Sequence, residues 1–171
     1  PWFALADLFN PAPLALEPVL ANARRMAASP IVTVNLWFDR PVLDVPFVGL
    51  PGRVMQWVFD KSAIWGEGTS HLSLVSSGAE MTARETNDAL IAIAQTELAE
   101  ALPSAGAARL VRATVIREPR ATFSLAPGQP PRPSHKTPVH GLFLAGDWTD
   151  TGLPATIESA KNATIGFRSN L

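Results

Sequence analysis

Residues 141–160, GLFLAGDWTDTGLPATIESA, constrain the fold of this chain more than any other stretch. Leu142 to Ala145, four apolar residues, read as a short buried strand. Gly146-Asp147 follows as a turn, then a small polar loop, then a helix opened by Pro154. Proline suits that place because a first-turn amide has no intrahelical partner. A strand that feeds a helix N-terminus through a glycine-bearing loop can hold a polar or anionic ligand. Gly146 permits conformations and a close approach that a Cβ would block. Asp147 stands at the strand's carboxyl end, where open α/β sheets bind ligands. Its carboxylate can accept from sugar-like hydroxyls, but Gly-Asp is also ordinary turn punctuation. The residues alone leave both readings open.

At 171 residues the chain is long enough to bury a core of its own. With 47% apolar and 17% charged residues it is globular rather than disordered. A net charge of −1, with no run of like charges, gives no electrostatic footprint for nucleic acid. The absence of cysteine excludes disulfides and thiolate metal sites and fits a cytoplasmic protein. His71, His135 and His140 lack ligand spacing, so no metal site is expected. No G-x-S-x-G context for a nucleophilic serine occurs. No apolar run approaches the ~20 residues that span a bilayer. The sequence starts at Pro1 without methionine or a basic leader, which reads as a segment cut from something longer.

Along the chain, residues 1–29 hold helical pieces broken by Pro11, Pro13 and Pro18, with Pro18 suited to a first helical turn. Ile31 to Phe38 alternates as a strand: Val32, Val34, Leu36 and Phe38 on one face, Thr33 and Asn35 on the other, with Trp37 making the second face partly apolar. Val54 to Phe59 and Leu72 to Val75 read as two more strands, paired antiparallel, with a loop over Ser62 to Gly68. Thr82-Ala83-Arg84-Glu85 fits a capping box. It would open a helix with Leu90, Ile91, Ala94, Leu98, Ala101 and Leu102 on its apolar stripe, stopped by Pro103. Arg109 to Arg117 and Ala121 to Leu125 read as two strands. Residues 126–138, APGQPPRPSHKTP, are too proline-rich for regular structure and serve either as a buried connector or as a flexible linker. The helix from about Pro154 to Arg168 carries Ala155, Ser159, Ala163 and Gly166 on one face, which allows close backbone packing.

The terminal segment resembles the C-terminal FAD-binding motif of the flavin amine oxidase and phytoene desaturase superfamily. A closer resemblance is to the squalene-associated FAD-dependent desaturases, the hydroxysqualene dehydroxylases. It rests on Ser29 to Val32 through Leu36-Trp37-Phe38-Asp39-Arg40-Pro41, on Gln56 to Lys61, on Arg120-Ala121-Thr122-Phe123, and on Gly146-Asp147-Trp148-Thr149 with Gly152 to Glu158. Ser159 stands where that family usually has glycine. The resemblance implies a mixed α/β (α+β) chain, the C-terminal part of a two-domain amine-oxidase-like fold. It would hold an antiparallel substrate-domain sheet plus the last strand and helix of the FAD-binding domain. The implied divisions are 1–28, a connecting helical segment; 29–125, substrate-binding; 126–138, connector; and 139–171, FAD-binding.

The implied cofactor is FAD, with Gly146, Asp147, Trp148, Leu153, Pro154, Ala155, Thr156 and Ile157 around it. Asp147 would meet the ribityl hydroxyls, and the amides near Ala155, Thr156 and Ile157 the pyrimidine edge, where a helix N-terminus favours negative charge by up to about 1 kcal/mol. No G-x-G-x-x-G follows any strand, so the pyrophosphate anchor is expected from a missing N-terminal dinucleotide-binding half. The implied reaction is reductive removal of hydroxyl from hydroxysqualene to give squalene, in hopanoid and squalene synthesis; no catalytic acid is identified. An isoprenoid lipid substrate would need an apolar tunnel, which Trp37, Trp57 and Phe59 could line; plain core is the equal alternative for these three. Peripheral contact with the inner membrane is expected, through Trp2, Phe3, Leu5, Leu8 and Phe9. Two other readings are a carotenoid desaturase or flavin amine oxidase, the latter disfavoured by the lack of tyrosine, and a non-catalytic lipid-binding domain.

Overall fold

A computed structural model describes residues 1–66 and 70–150. The chain divides into two compact units, residues 29–121 and residues 1–28 with 122–171.

The first of these is a sheet backed by a helix. Its strands are β1 (Ala28–Phe38), β2 (Phe47–Gly49), β3 (Trp57–Asp60), β4 (Ser70–Ser77) and β5 (Leu110–Phe123), in the order β2-β3-β4-β1-β5. β2–β3 and β3–β4 pair antiparallel, as chain neighbours joined by short connections do, and β4 returns to pair antiparallel with β1. Alternation in β1 sorts its side chains as expected: Val32, Val34 and Leu36 are fully buried on one face with Phe38. Register puts Leu72 and Leu74 of β4 and Val58 of β3 on that same face. Against it lies the long helix Asn87–Ala101, whose Leu90, Ala94 and Leu98 recur every four residues and are fully buried. Each such leucine contributes about 1.5–3 kcal/mol by leaving water. In chain order this helix is α3, after α1 (Glu17–Arg25) and α2 (Lys61–Trp65). It ends one residue short of Leu102, and Pro103 opens a separate short turn.

Four local expectations are corrected here. β3 starts at Trp57, not Val54, because the Glu97 carboxylate of α3 takes the amides of Val54 and Met55, each at 2.8 Å. Residues 62–65 of the expected loop belong instead to α2, since Asp60 accepts from the Ala63 amide at 3.0 Å and caps it. The capping box does not form. Thr82–Arg84 is a single 3-10 turn, and Thr86 caps α3 by accepting from the Ala89 amide. Arg117 reaches back from β5 to the carbonyls of Ala83 and Glu85 and the Asn87 side chain, which fixes the later start. Finally, the two strands expected over 109–125 are one. Pro119 lacks an N–H, but β5 is an edge strand, where that loss is tolerated.

In the other unit, α1 follows three 3-10 turns, and Pro18 sits in its first turn as expected. Leu16, Leu20 and Ala23 pack with Trp2, Leu5, Met26, Phe123, Leu144 and Trp148 in a second core. The Trp2 indole donates to the Met26 carbonyl at 3.2 Å, so this aromatic is satisfied as well as buried. The proline-rich stretch is tied down: Asn22 donates to the Pro131 carbonyl, and Gln129 accepts from the Ala27 amide.

Candidate functional site

The loop at Gly146-Asp147 is built from residues 122–150. Leu142 to Ala145 does not form the expected strand. Its one strand-like contact is an isolated bridge between Lys136 and Phe143, supported by the Leu144 amide donating to the His135 carbonyl. A segment with a single short bridge on one side has too little ladder to count as a strand. Leu144 is buried in the core of this unit, and Ala145 is exposed.

Gly146 has φ +152°, a region that side chains rarely adopt. A Cβ there would stand 2.6 Å from Trp148 Nε1. The glycine thus makes room for a protein ring: the close approach expected of a ligand is filled by Trp148, which is 4% exposed. Thr149 closes the turn, its amide and hydroxyl both donating to the Gly146 carbonyl.

Asp147 is half-buried, and its Oδ2 accepts from the Thr122 hydroxyl at 3.2 Å. The backbone beneath it is held by Arg132, whose guanidinium donates to the carbonyls of Thr149 at 3.0 Å and Asp147 at 3.4 Å. Arg132 also faces Asp150 at 3.7 Å and lies over the Phe123 ring. The Asp150 amide donates to the Pro133 carbonyl, so the loop is bound to the proline-rich stretch at several points. Thr122 and Arg132 are the residues that sequence reading missed. The signal for Arg132 was a cation set directly between two prolines, Pro131 and Pro133, a rigid place for a charge.

This donor set fits a polyhydroxyl chain: Asp147 is a partly desolvated carboxylate, fixed at one oxygen by a neutral hydroxyl, with acceptor capacity left over. Leu153, Pro154, Ala155, Thr156 and Ile157, and the helix on which they were placed, lie outside the described residues.

In the sheet unit, the face opposite α3 carries the three aromatic candidates. Register puts Trp57 and Phe59 of β3 and Trp37 of β1 all on that face. Trp57 and Phe59 meet Phe47 of β2, with ring centres 6.1–6.3 Å apart, and Trp57 is 44% exposed. The three form an apolar shelf rather than core. Trp37 is not part of it. It stacks on His71 of β4 at 4.2 Å, with the Arg112 guanidinium 4.8 Å from its ring. Between the two lie Asn35 and Ser73, both buried, and Asn35 bonds the His71 ring at 3.1 Å. The face is therefore aromatic at both ends and polar in its middle.

Of the residues expected to meet a membrane, Trp2 and Leu5 are core; Phe3 and Leu8 are exposed. Among the described residues no helix is long and apolar enough to cross a bilayer.

The family model of the flavin containing amine oxidoreductases matches residues 3–163. The chain is 33% identical over 131 residues to a hydroxysqualene dehydroxylase of Sinorhizobium fredii, covering 76% of this chain and 29% of the relative. It is 37% identical over 132 residues to the hydroxysqualene dehydroxylase of Rhodopseudomonas palustris, with the same coverage. A 15-cis-phytoene desaturase of Glycine max is 28% identical over 155 residues, covering 84% of this chain and 27% of the relative. The chain spans less than a third of the length of these relatives. Among solved structures, a protein of Exiguobacterium sp. 255-15 assigned as a protoporphyrinogen oxidase superposes on the whole chain and 40% of its own, with TM-score 0.59 and 16% identity. That likeness is one of fold.

Proposed function

The chain belongs to the flavin-containing amine oxidoreductase family, and we propose that it forms part of an FAD-dependent oxidoreductase acting on a squalene-type isoprenoid. The observation that carries the reading is Asp147, a half-buried carboxylate set after a glycine-only turn and held from Thr122 and Arg132. When bound, a flavin supplies hydride transfer. This chain would supply position and environment. Asp147 would accept from the ribityl hydroxyls, and Thr122 would keep its carboxylate turned. Phe47, Trp57 and Phe59 would give a hydrocarbon an apolar surface that excludes water.

Identity of 33–37% to hydroxysqualene dehydroxylases supports reductive loss of hydroxyl from hydroxysqualene, giving squalene, as the reaction. The phytoene desaturase likeness, which covers more of this chain, favours a desaturase as the second reading. A substrate this apolar partitions into lipid, and membrane contact would fall to the exposed Phe3, Leu8 and Leu14. The test is turnover by the intact, flavin-loaded protein. Squalene formed from hydroxysqualene under reducing conditions supports the first reading; desaturation of phytoene with an electron acceptor supports the second; neither product refutes both.

A further inference from the structure

The polar centre of the aromatic sheet face is a single pair of side chains. Asn35 of β1 stands directly across from Ser73 of β4, and Phe59 of β3 is next in the same row. Side chains that oppose each other across an antiparallel pair have Cβ atoms about 4.5–5.5 Å apart, so the Asn35 carboxamide and the Ser73 hydroxyl share one spot. Trp37 and His71 form the adjoining row on one side, and Thr33, Val75 and Trp57 the adjoining row on the other.

Asn35 is 8% and Ser73 4% exposed, yet neither is used up. Asn35 Oδ1 lies 3.1 Å from His71 Nε2, and that imidazole is itself stacked on Trp37 at 4.2 Å. The carboxamide is thereby held in place by one end. Its nitrogen and the Ser73 Oγ have no hydrogen-bond partner among the described residues. Both still open to the face. Among these residues the one side-chain polar atom that is unpartnered and also sealed from solvent is Ser70 Oγ, which belongs to the core face with Phe38.

Two unpaired polar groups among aromatic rings carry a cost that depends on what covers them. Water satisfies them while the face is open. A pure hydrocarbon laid across it would strip that water and return no bond. A ligand with one oxygen at this point would bond both groups. A hydroxyl donates as well as accepts, so it suits either end of a carboxamide and a serine alike.

From this we infer that Asn35 and Ser73 are specificity-determining residues that read a single hydroxyl on an otherwise apolar isoprenoid. Phe59 and Trp57 on one side and Trp37 on the other would take the hydrocarbon arms. The inference rests on the reading of this face as the substrate surface, and it chooses within that reading an isoprenoid alcohol over a hydrocarbon such as phytoene. A site built to bond a hydroxyl rejects the analogue that lacks it, because its own polar groups are then left unpaired.

The experiment is calorimetric titration of the intact, flavin-loaded protein, kept oxidised so that no hydride is available, with hydroxysqualene and with squalene in the same detergent. Hydroxysqualene should bind at least ~10-fold tighter, the worth of the bonds its oxygen makes. Ser73→Ala and Asn35→Leu should each cut that ratio by ~3-fold or more, through weaker binding of hydroxysqualene, with squalene bound as well as before or better. A role in packing alone would weaken both lipids together and leave the ratio where it was. Ser73→Ala is the conservative member of the pair, and far-ultraviolet circular dichroism and flavin content are measured on both. A ratio near one in the parent protein, or a ratio that neither substitution moves, would overturn the inference and leave an isoprenoid site standing. Binding of neither lipid would overturn the isoprenoid reading along with it.

Discussion

Replacing Gly146 by alanine tests the geometry of the candidate site most directly. Two separate costs follow from the structure. At φ +152° an L side chain is strained, by about 1–3 kcal/mol. The new Cβ would also stand 2.6 Å from Nε1 and 2.7 Å from Cδ1 of Trp148. That indole is 4% exposed and belongs to the core with Trp2, Leu5 and Leu144, so it has no free space to move into. Overpacking of this kind costs about 1–3 kcal/mol more. Gly146→Ala should therefore destabilise this unit by about 2–6 kcal/mol. The assay is urea unfolding of the intact protein followed by flavin release, run as a double-mutant cycle with Trp148→Ala. Removing the ring abolishes the clash but not the strain, so the double variant should be less destabilised than the sum by about 1–3 kcal/mol. Strict additivity would refute the packing argument. A Gly146→Ala variant as stable as the parent would refute the turn itself.

Four further expectations are accessible to measurement. Asp147→Ala should weaken FAD binding by roughly tenfold or more, the worth of a hydrogen bond to a charged group, read by flavin fluorescence titration; unchanged affinity would remove Asp147 from the site. Thr86→Ala should cost about 1 kcal/mol in denaturant unfolding while Thr82→Ala costs little, because Thr86 alone caps α3. Glu97→Gln should destabilise by about 1–3 kcal/mol, since one of its two oxygens becomes a donor facing the Val54 or Met55 amide. Asp39 should titrate below 3.8, held down first by the Arg40 side chain and then by the Arg109 amide. Its contribution to stability is then present above 3.8 and is lost as pH falls through the lowered value. Carbon-13 NMR of the carboxyl should show that midpoint, and Arg40→Gln should raise it.

The sheet unit was legible where a local pattern and its tertiary setting agree. The alternation of Val32, Val34 and Leu36, and the four-residue spacing of Leu90, Ala94 and Leu98, are each dictated by one buried surface, and both formed as read. Reading failed where a distant side chain decided the local outcome. Glu97 draws Val54 and Met55 out of the ladder from 42 or more residues away, and Arg117 sets the start of α3 from across the sheet. Neither is visible in a window of sequence. The single strand over Leu110–Phe123 shows a different reason: the effect of Pro119 depends on whether the strand is at an edge, which is a property of topology. The candidate site follows the same division. Gly146-Asp147 could be located from its own residues, but the role of the glycine could not, because the group that needs its missing Cβ is Trp148.

A dependence on remote residues runs through the Asp147 loop as well, and it changes how variants there should be read. Thr122 sits at the end of β5, Arg132 in the proline-rich stretch and Trp148 in the core, and all three fix where the Asp147 carboxylate stands. None needs to touch a flavin to alter its binding. Arg132 is the sharpest case, because one guanidinium serves the carbonyls of Asp147 and Thr149, the Asp150 carboxylate and the Phe123 ring. Lysine keeps the charge but not the fork, so it can reach one carbonyl at a time. A residue acting through the loop should lose flavin affinity and loop stability together, whereas Asp147, whose carboxylate has one protein partner among the described residues, should lose affinity with little change in stability. Loss of affinity at unchanged stability in Asp147→Ala would mark that carboxylate as a contact, and loss of both together would mark it as support.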